Sequence, residues 1–362
     1  MPERAGDTRY AMQMLTQVSP KVGATTREVK LDTPGTTLSL RPRGRPDFFI
    51  VGAPKSGTTA MSDYLGSHPD IFMARKDMHY FGRDLRFAPH FYRRAEREYL
   101  AEFGSWEGQR RVGEASVWYL FSETAAAEIK AFNPASRILV LLREPVELMY
   151  SLFNFFRFDG NEPLATFPEA LAAEADRRAG RRLGRQTHFA PGLVYHEVPR
   201  FTQQLQRYFK AFGRERVRVV LTEDLAANPA AMYRQTLEFL EVDARHRLPE
   251  FERINPAKRV KFRGVRAVLN DPAVRSAVLA IRPALPRPLF FALHRAERLL
   301  NHFNSTVAKP PPLEPQLRAR LRREFAPEVR QLSDLIGRDL SHWSADPVPA
   351  KTGGDAIAVP VT

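Results

Sequence analysis

Two stretches of the chain combine cations, hydroxyls and glycine in an order suited to holding anions. The first is Gly52-Ala-Pro-Lys-Ser-Gly-Thr-Thr59, which follows the apolar run Phe48-Phe-Ile-Val51 and precedes a helical pattern. A strand–turn–helix of this composition sets the N–H groups of Gly57, Thr58 and Thr59 at a helix N-terminus, where unpaired donors and the helix dipole favour negative charge. Gly57 lets the backbone come close to the anion, Lys55 adds a full positive charge, and Ser56, Thr58 and Thr59 add hydroxyl donors. The group they suit is phosphate-like. Gly52 and Gly57 match the glycine spacing of a Walker A loop, but Thr58 stands where that loop carries lysine, and the cation comes earlier, at Lys55.

The second stretch is Arg137-Ile-Leu-Val-Leu-Leu-Arg-Glu-Pro-Val-Glu-Leu-Met-Tyr-Ser151. It places Arg143 at the carboxyl end of a buried strand, where ligands bind in open α/β sheets. Ser151, two turns into the following helix, would share one phosphate with Arg143. The competing reading pairs Arg143 with Glu144 or Glu147. No acidic residue ends this strand in the manner of a magnesium-binding Walker B aspartate, so no metal is expected. Together the two stretches suit a ligand with two separated anionic groups.

The elements needed to position these residues are legible around them. Phe48–Val51, Val112–Ser116, Arg137–Leu142 and Val217–Thr222 read as strands, and helical patterns cover 58–67, 145–157, 193–212 and 229–240. Runs apolar on both faces, alternating with helices, predict a parallel sheet flanked by helices with right-handed crossovers. Pro145 and Pro229 open two of the helices. Residues 1–46 and 344–362 read as a flexible leader and tail around one domain at 47–343. The basic and apolar stretch 262–310 reads as a helical cover of the core, or as an insertion touching a membrane surface.

Composition narrows the function classes. The 362 residues contain no cysteine, which excludes disulfides, thiolate nucleophiles and cysteine-bound zinc. Lys and Arg total 55 against 41 Asp and Glu, a formal net charge of +14 that suits a polyanionic partner. No recognised nucleic-acid module frames the arginine-rich stretches, so no nucleic-acid partner is expected. Without an apolar signal core or a run approaching about 18 apolar residues, the expectation is a cytoplasmic protein. Oligomeric state is not legible.

The chain resembles the sulfotransferases that use 3′-phosphoadenosine 5′-phosphosulfate (PAPS). The resemblance runs from about Phe48 to Trp343 and rests on Pro54-Lys-Ser-Gly-Thr-Thr59 followed by Arg143 to Ser151. Lys76-Asp-Met-His-Tyr-Phe81, Gly113-Glu-Ala-Ser116, Gly192-Leu-Val-Tyr195, Leu221-Thr-Glu-Asp-Leu225 and Ile336-Gly-Arg-Asp-Leu-Ser-His-Trp343 support it. The resemblance implies a P-loop-like three-layer α/β fold with PAPS as co-substrate. It gives Lys55, Ser56, Gly57, Thr58 and Thr59 the 5′-phosphosulfate, and Arg143 and Ser151 the 3′-phosphate. Arg263 and Gly264 fall where the family closes over the nucleotide.

The implied reaction moves a sulfuryl group to an acceptor hydroxyl or amine, on a carbohydrate or a lipid. Such a displacement needs a base for the acceptor proton and positive charge on the departing oxygen. Lys55 suits the second task. For the first, the glycan-modifying branch, which this chain resembles most, usually carries Glu at the place of Asp77, while the small-molecule branch uses a histidine. Asp77 and His79 lie two apart, so on an extended segment they share a face, one taking the proton and the other orienting it. A surface ion pair for Asp77 with Lys76 or Lys55, and a structural role for His79, are the alternatives. Glu114 and Ser116 are expected at a strand end facing the same crevice, in a region that in this family lines the acceptor pocket or touches the donor. The rival functions are an atypical P-loop kinase and a non-catalytic module binding nucleotides or polyanions.

Overall fold

A computed structural model of the chain describes residues 44–87, 95–246 and 310–345 together with two short strands at 258–260 and 305–307. Five strands form one parallel sheet: β1 (Phe48–Gly52), β2 (Ile71–Met73), β3 (Arg111–Ala115), β4 (Arg137–Leu142) and β5 (Val217–Leu221). Their order is β2-β3-β1-β4-β5, every neighbouring pair being parallel. The chain leaves β1 toward one side of the sheet and then crosses to the other, which makes the carboxyl ends of β1, β3 and β4 a crevice.

Strand β1, and β4 after Arg137, are apolar because both of their faces are covered. Phe49, Val51, Ile138, Val140 and Leu142 enter one buried cluster, and Phe48, Ile50, Leu139, Leu141 and Val220 enter the other. The first cluster takes in residues of the helices α4 (Pro145–Asp159), α7 (Phe201–Phe212) and α10 (Pro315–Ile336). The second takes in residues of α1 (Thr58–Gly66) and α9 (Pro229–Phe239). The shorter helices α2 (Glu96–Ala101), α3 (Ala125–Phe132), α5 (Phe167–Ala172), α6 (Glu174–Arg178) and α8 (Thr222–Ala227) complete the set described. The architecture is the helix-flanked parallel sheet anticipated from the apolar patterning, and it agrees with the P-loop-like fold that the resemblance implies.

Two differences from the sequence reading have local causes. The helix expected over 193–212 begins only at Phe201, after 3₁₀ turns at Ala190–Leu193 and Tyr195–Glu197. Pro199 explains the break, since its ring clashes with the preceding turn and it offers no N–H. Strand β2 was not anticipated, because three residues carry no period.

The strands β6 (Lys258–Val260) and β7 (Ser305–Val307) pair antiparallel. Strand β6 lies beside α4. Most of the proposed cover at 262–310, the leader to residue 43 and the tail beyond 345 fall outside the described residues. Among the described residues no helix is long and apolar enough to cross a membrane.

Candidate active site

The turn after β1 carries the first anion cradle. Lys55 adopts a left-handed backbone at φ 62°. Gly57, the N-cap of α1, does so at φ 87°, ψ 9°. Glycine tolerates this region where other residues are strained, and an added Cβ would also stand 3.2 Å from Leu225 Cδ2. The turn therefore delivers the N–H groups of the first helical turn into the crevice, with Thr58 and Thr59 leading the helix. Ser56 is fully buried under the turn, and its hydroxyl donates to the Pro54 carbonyl at 3.4 Å. Thr222, which opens α8, holds the turn from below: its hydroxyl lies 3.2 Å from the Ser56 carbonyl and 2.8 Å from that of Leu142.

Arg143 stands beside this turn. Its Nη1 donates to the Lys55 carbonyl at 3.2 Å, so the end of β4 and the loop after β1 share one cleft. Its Nη2 lies 3.4 Å from the Glu147 carboxylate, so the ion pair weighed as a competing reading is present without separating Arg143 from the loop. Glu144 accepts from the Glu147 N–H at 2.6 Å and, followed by Pro145, caps α4. Ser151 makes no hydrogen bond to Arg143; it stands one helical turn beyond Glu147.

A cation outside the expected set completes the cradle. Lys76 Nζ donates to Thr59 Oγ1 at 2.6 Å, tying the loop after β2 to the start of α1. Burial lowers the pKa of Lys55, and Arg143 and Lys76 lower it further. Burial lowers that of Lys76 as well. Lys55 Nζ sits 4.5 Å from the centre of the Phe155 ring, an aromatic face that is 41% exposed.

Asp77 and His79 occupy the same loop. They do not lie on an extended segment, as the sequence suggested: both are left-handed, at φ 57° and 51°. Such backbone is held in place by its surroundings. The Asp77 N–H donates to the Ala115 carbonyl at 2.7 Å and the His79 N–H to Ser116 Oγ at 3.3 Å. The N–H groups of Tyr80 and Phe81 donate to the Tyr119 hydroxyl at 2.9 and 3.2 Å. The Asp77 carboxylate is at the surface, with Oδ1 3.4 Å from the Val117 N–H. The His79 ring stacks on Phe87 with centroids 4.4 Å apart, and burial lowers its pKa.

Glu114 and Ser116 require a correction. Both are fully enclosed, so neither lines an acceptor pocket. The Glu114 carboxylate accepts from Ser116 Oγ at 2.6 Å and from the Tyr99 hydroxyl at 2.8 Å, and burial pushes its pKa up to about 7. Ser116 thus links a buried acid to the backbone of His79. Residue type marked these positions as polar, but only the fold shows that they support the loop from beneath. Arg263 and Gly264 lie outside the described residues.

A parallel sheet whose first strand runs through a glycine turn into a helix N-terminus, at the topological crossover, is an α/β architecture suited to an anionic ligand. The comparisons with known proteins narrow the class. The model of the Sulfotransferase family matches residues 46–246. The chain belongs to the sulfotransferase family. The solved structure of a sulfotransferase from Alicyclobacillus acidocaldarius is 30% identical and superposes with a TM-score of 0.62, covering 83% of this chain and 99% of that one. The membrane-associated sulfotransferase kil1 of Dictyostelium discoideum is 30% identical over 137 residues, 36% of this chain and 28% of that protein. The human bifunctional heparan sulfate N-deacetylase/N-sulfotransferase 1 is 26% identical over 202 residues, 54% of this chain and 22% of that protein. The chain thus spans less than a third of the length of these two curated relatives.

Proposed function

We propose that the protein transfers a sulfuryl group from PAPS to a hydroxyl or amine of a carbohydrate acceptor. The observation that supports this reading is the Arg143–Lys55 hydrogen bond, which brings the strand-end arginine against the turn after β1, as one bis-anionic nucleotide held by both would need. A carbohydrate acceptor is favoured over a lipid by the similarity to enzymes of heparan sulfate sulfation.

In this reading the loop from Lys55 to Thr59, joined by Lys76, holds the 5′-phosphosulfate, and Arg143 with Ser151 holds the 3′-phosphate. The acceptor oxygen or nitrogen attacks sulfur. Its new bond to sulfur forms as the bond from sulfur to the bridging oxygen breaks, and 3′-phosphoadenosine 5′-phosphate departs with the electron pair. Lys55 stabilises the charge growing on that bridging oxygen. Asp77, the more exposed of the two candidate bases, takes the acceptor proton, and His79 orients the loop around it.

The test is transfer of labelled sulfate from PAPS to a panel of glycans, lipids and phenols. Labelling of a sulfatable glycan, lost in Asp77→Asn, supports the reading. Labelling confined to phenols or lipids would overturn the acceptor class, and no labelling of any acceptor would overturn the activity.

A further inference from the structure

A carboxylate stands where the proposed 3′-phosphate would be least expected to tolerate one. Arg143, Glu147 and Ser151 follow one another at intervals of four residues, and Glu147 and Ser151 share a face of α4. A bare Glu147 between the strand-end arginine and the helix serine would repel a dianion. Its other oxygen, however, is taken by Arg318 of α10, a residue 171 positions away in the chain. One turn further along α10, Arg322 stands 3.4 Å from the buried helix cap Glu144. The two arginines, at an interval of four, therefore dock α10 on the first turn of α4. The side chains of Arg143, Glu147 and Arg318 are 29%, 31% and 23% exposed, so the group is open to solvent and not sealed in the core.

We propose that Arg318 is a positioning residue of the 3′-phosphate subsite: it neutralises Glu147, so that Glu147 can hold Arg143 without repelling a phosphate seated between Arg143 and Ser151. The inference rests on the PAPS reading and assigns a donor-site task to the C-terminal helix. Arg318 acts through Glu147 and needs no contact with the nucleotide. Its loss should be felt by ligands that carry the 3′-phosphate and by no others.

The experiment is calorimetric titration of 3′-phosphoadenosine 5′-phosphate and of adenosine 5′-phosphate into the full chain and its variants, with melting temperatures recorded for each. Arg318→Gln should weaken the 3′-phosphorylated ligand by about tenfold while leaving adenosine 5′-phosphate within about twofold. Arg318→Lys should stay close to the wild type. Glu147→Gln keeps an amide oxygen to accept from Arg143 while losing the charge, so it should bind the 3′-phosphorylated ligand at least as tightly as the wild type, and the double variant Glu147→Gln with Arg318→Gln should recover most of the lost affinity. Equal weakening of both nucleotides by Arg318→Gln would make Arg318 a structural clamp and overturn the proposal. Failure of the double variant to recover, or weakening by Glu147→Gln alone, would overturn it too, the latter even if Arg318→Gln does not fold. Absence of any wild-type preference for the 3′-phosphorylated ligand would instead count against the PAPS reading itself.

Discussion

At the amino ends of the strands, charge is cancelled within the protein. Arg111 is buried and reaches Asp47 at 3.3 Å and Glu241 at 2.6 Å, and Arg137 pairs with the same glutamate. At the carboxyl ends, Lys55 and Lys76 form no ion pair among the described residues, and their partners are an aromatic ring and a hydroxyl. The backbone differs as well. Of the five non-glycine residues with positive φ among those described, Lys55, Asp77 and His79 lie at the carboxyl end. Each such residue costs on the order of 1 kcal/mol, which the surrounding hydrogen bonds must offset. One end of the sheet closes its charges in short ion pairs, and the other holds two lysines that meet acidic residues only at longer range.

Substitutions can break or sharpen this contrast. Arg111→Ala removes a buried cation from beside Asp47 and should lower unfolding free energy by about 3 kcal/mol in urea titrations. The protein that remains folded should keep its turnover number. Lys55→Ala should do the reverse. Turnover should fall by about a hundredfold or more, as when a donor to a developing anion is removed. The melting temperature should hold or rise, because a desolvated, unpaired cation has been taken away. Loss of stability in Lys55→Ala would erase the distinction between the two ends.

Glu114 sharpens the contrast through pH. Its folded pKa of about 7 lies above its ordinary value of 4.5, so between these limits the native protein holds a proton that the unfolded chain releases. Stability from this group should therefore fall as pH rises through that window, by on the order of 3 kcal/mol, and level off above it. Denaturation midpoints measured across the window should show the slope in the wild type and not in Glu114→Gln. The smallest effect concerns His196, whose pKa is raised chiefly by its hydrogen bond to Glu174, with Glu324 on the other side of the ring. That contribution is present at low pH and lost as pH rises through the elevated value. His196→Gln should thus cost more at pH 6 than at pH 9, with a difference below about 1 kcal/mol.

The strands that position the site were legible because β1 and β4 carry apolar runs on both faces, one closing on Gly52 and the other followed by Arg143, a signal carried by adjacent residues. The phosphate-type loop was legible for the same reason: Lys55 to Thr59 are contiguous. What escaped depends on the chain folding back. Lys76 could be read as part of a motif, but its bond to Thr59 follows from a three-residue strand that has no period of its own. Arg318 and Thr222 come from elements remote in sequence. Glu114 and Ser116 looked like pocket residues because a polar pair at a strand end does not disclose whether the next loop covers it. The loop folds back there, with the His79 N–H on Ser116 and those of Tyr80 and Phe81 on Tyr119.

The most direct test of the central claim is the thermal stabilisation of the wild-type protein by 3′-phosphoadenosine 5′-phosphate compared with ATP and magnesium at equal concentration. If the Lys55 turn and Arg143 grip opposite ends of one bis-anionic nucleotide, the 3′-phosphorylated ligand gives the larger rise in melting temperature. An equal or larger rise with ATP and magnesium would contradict the account.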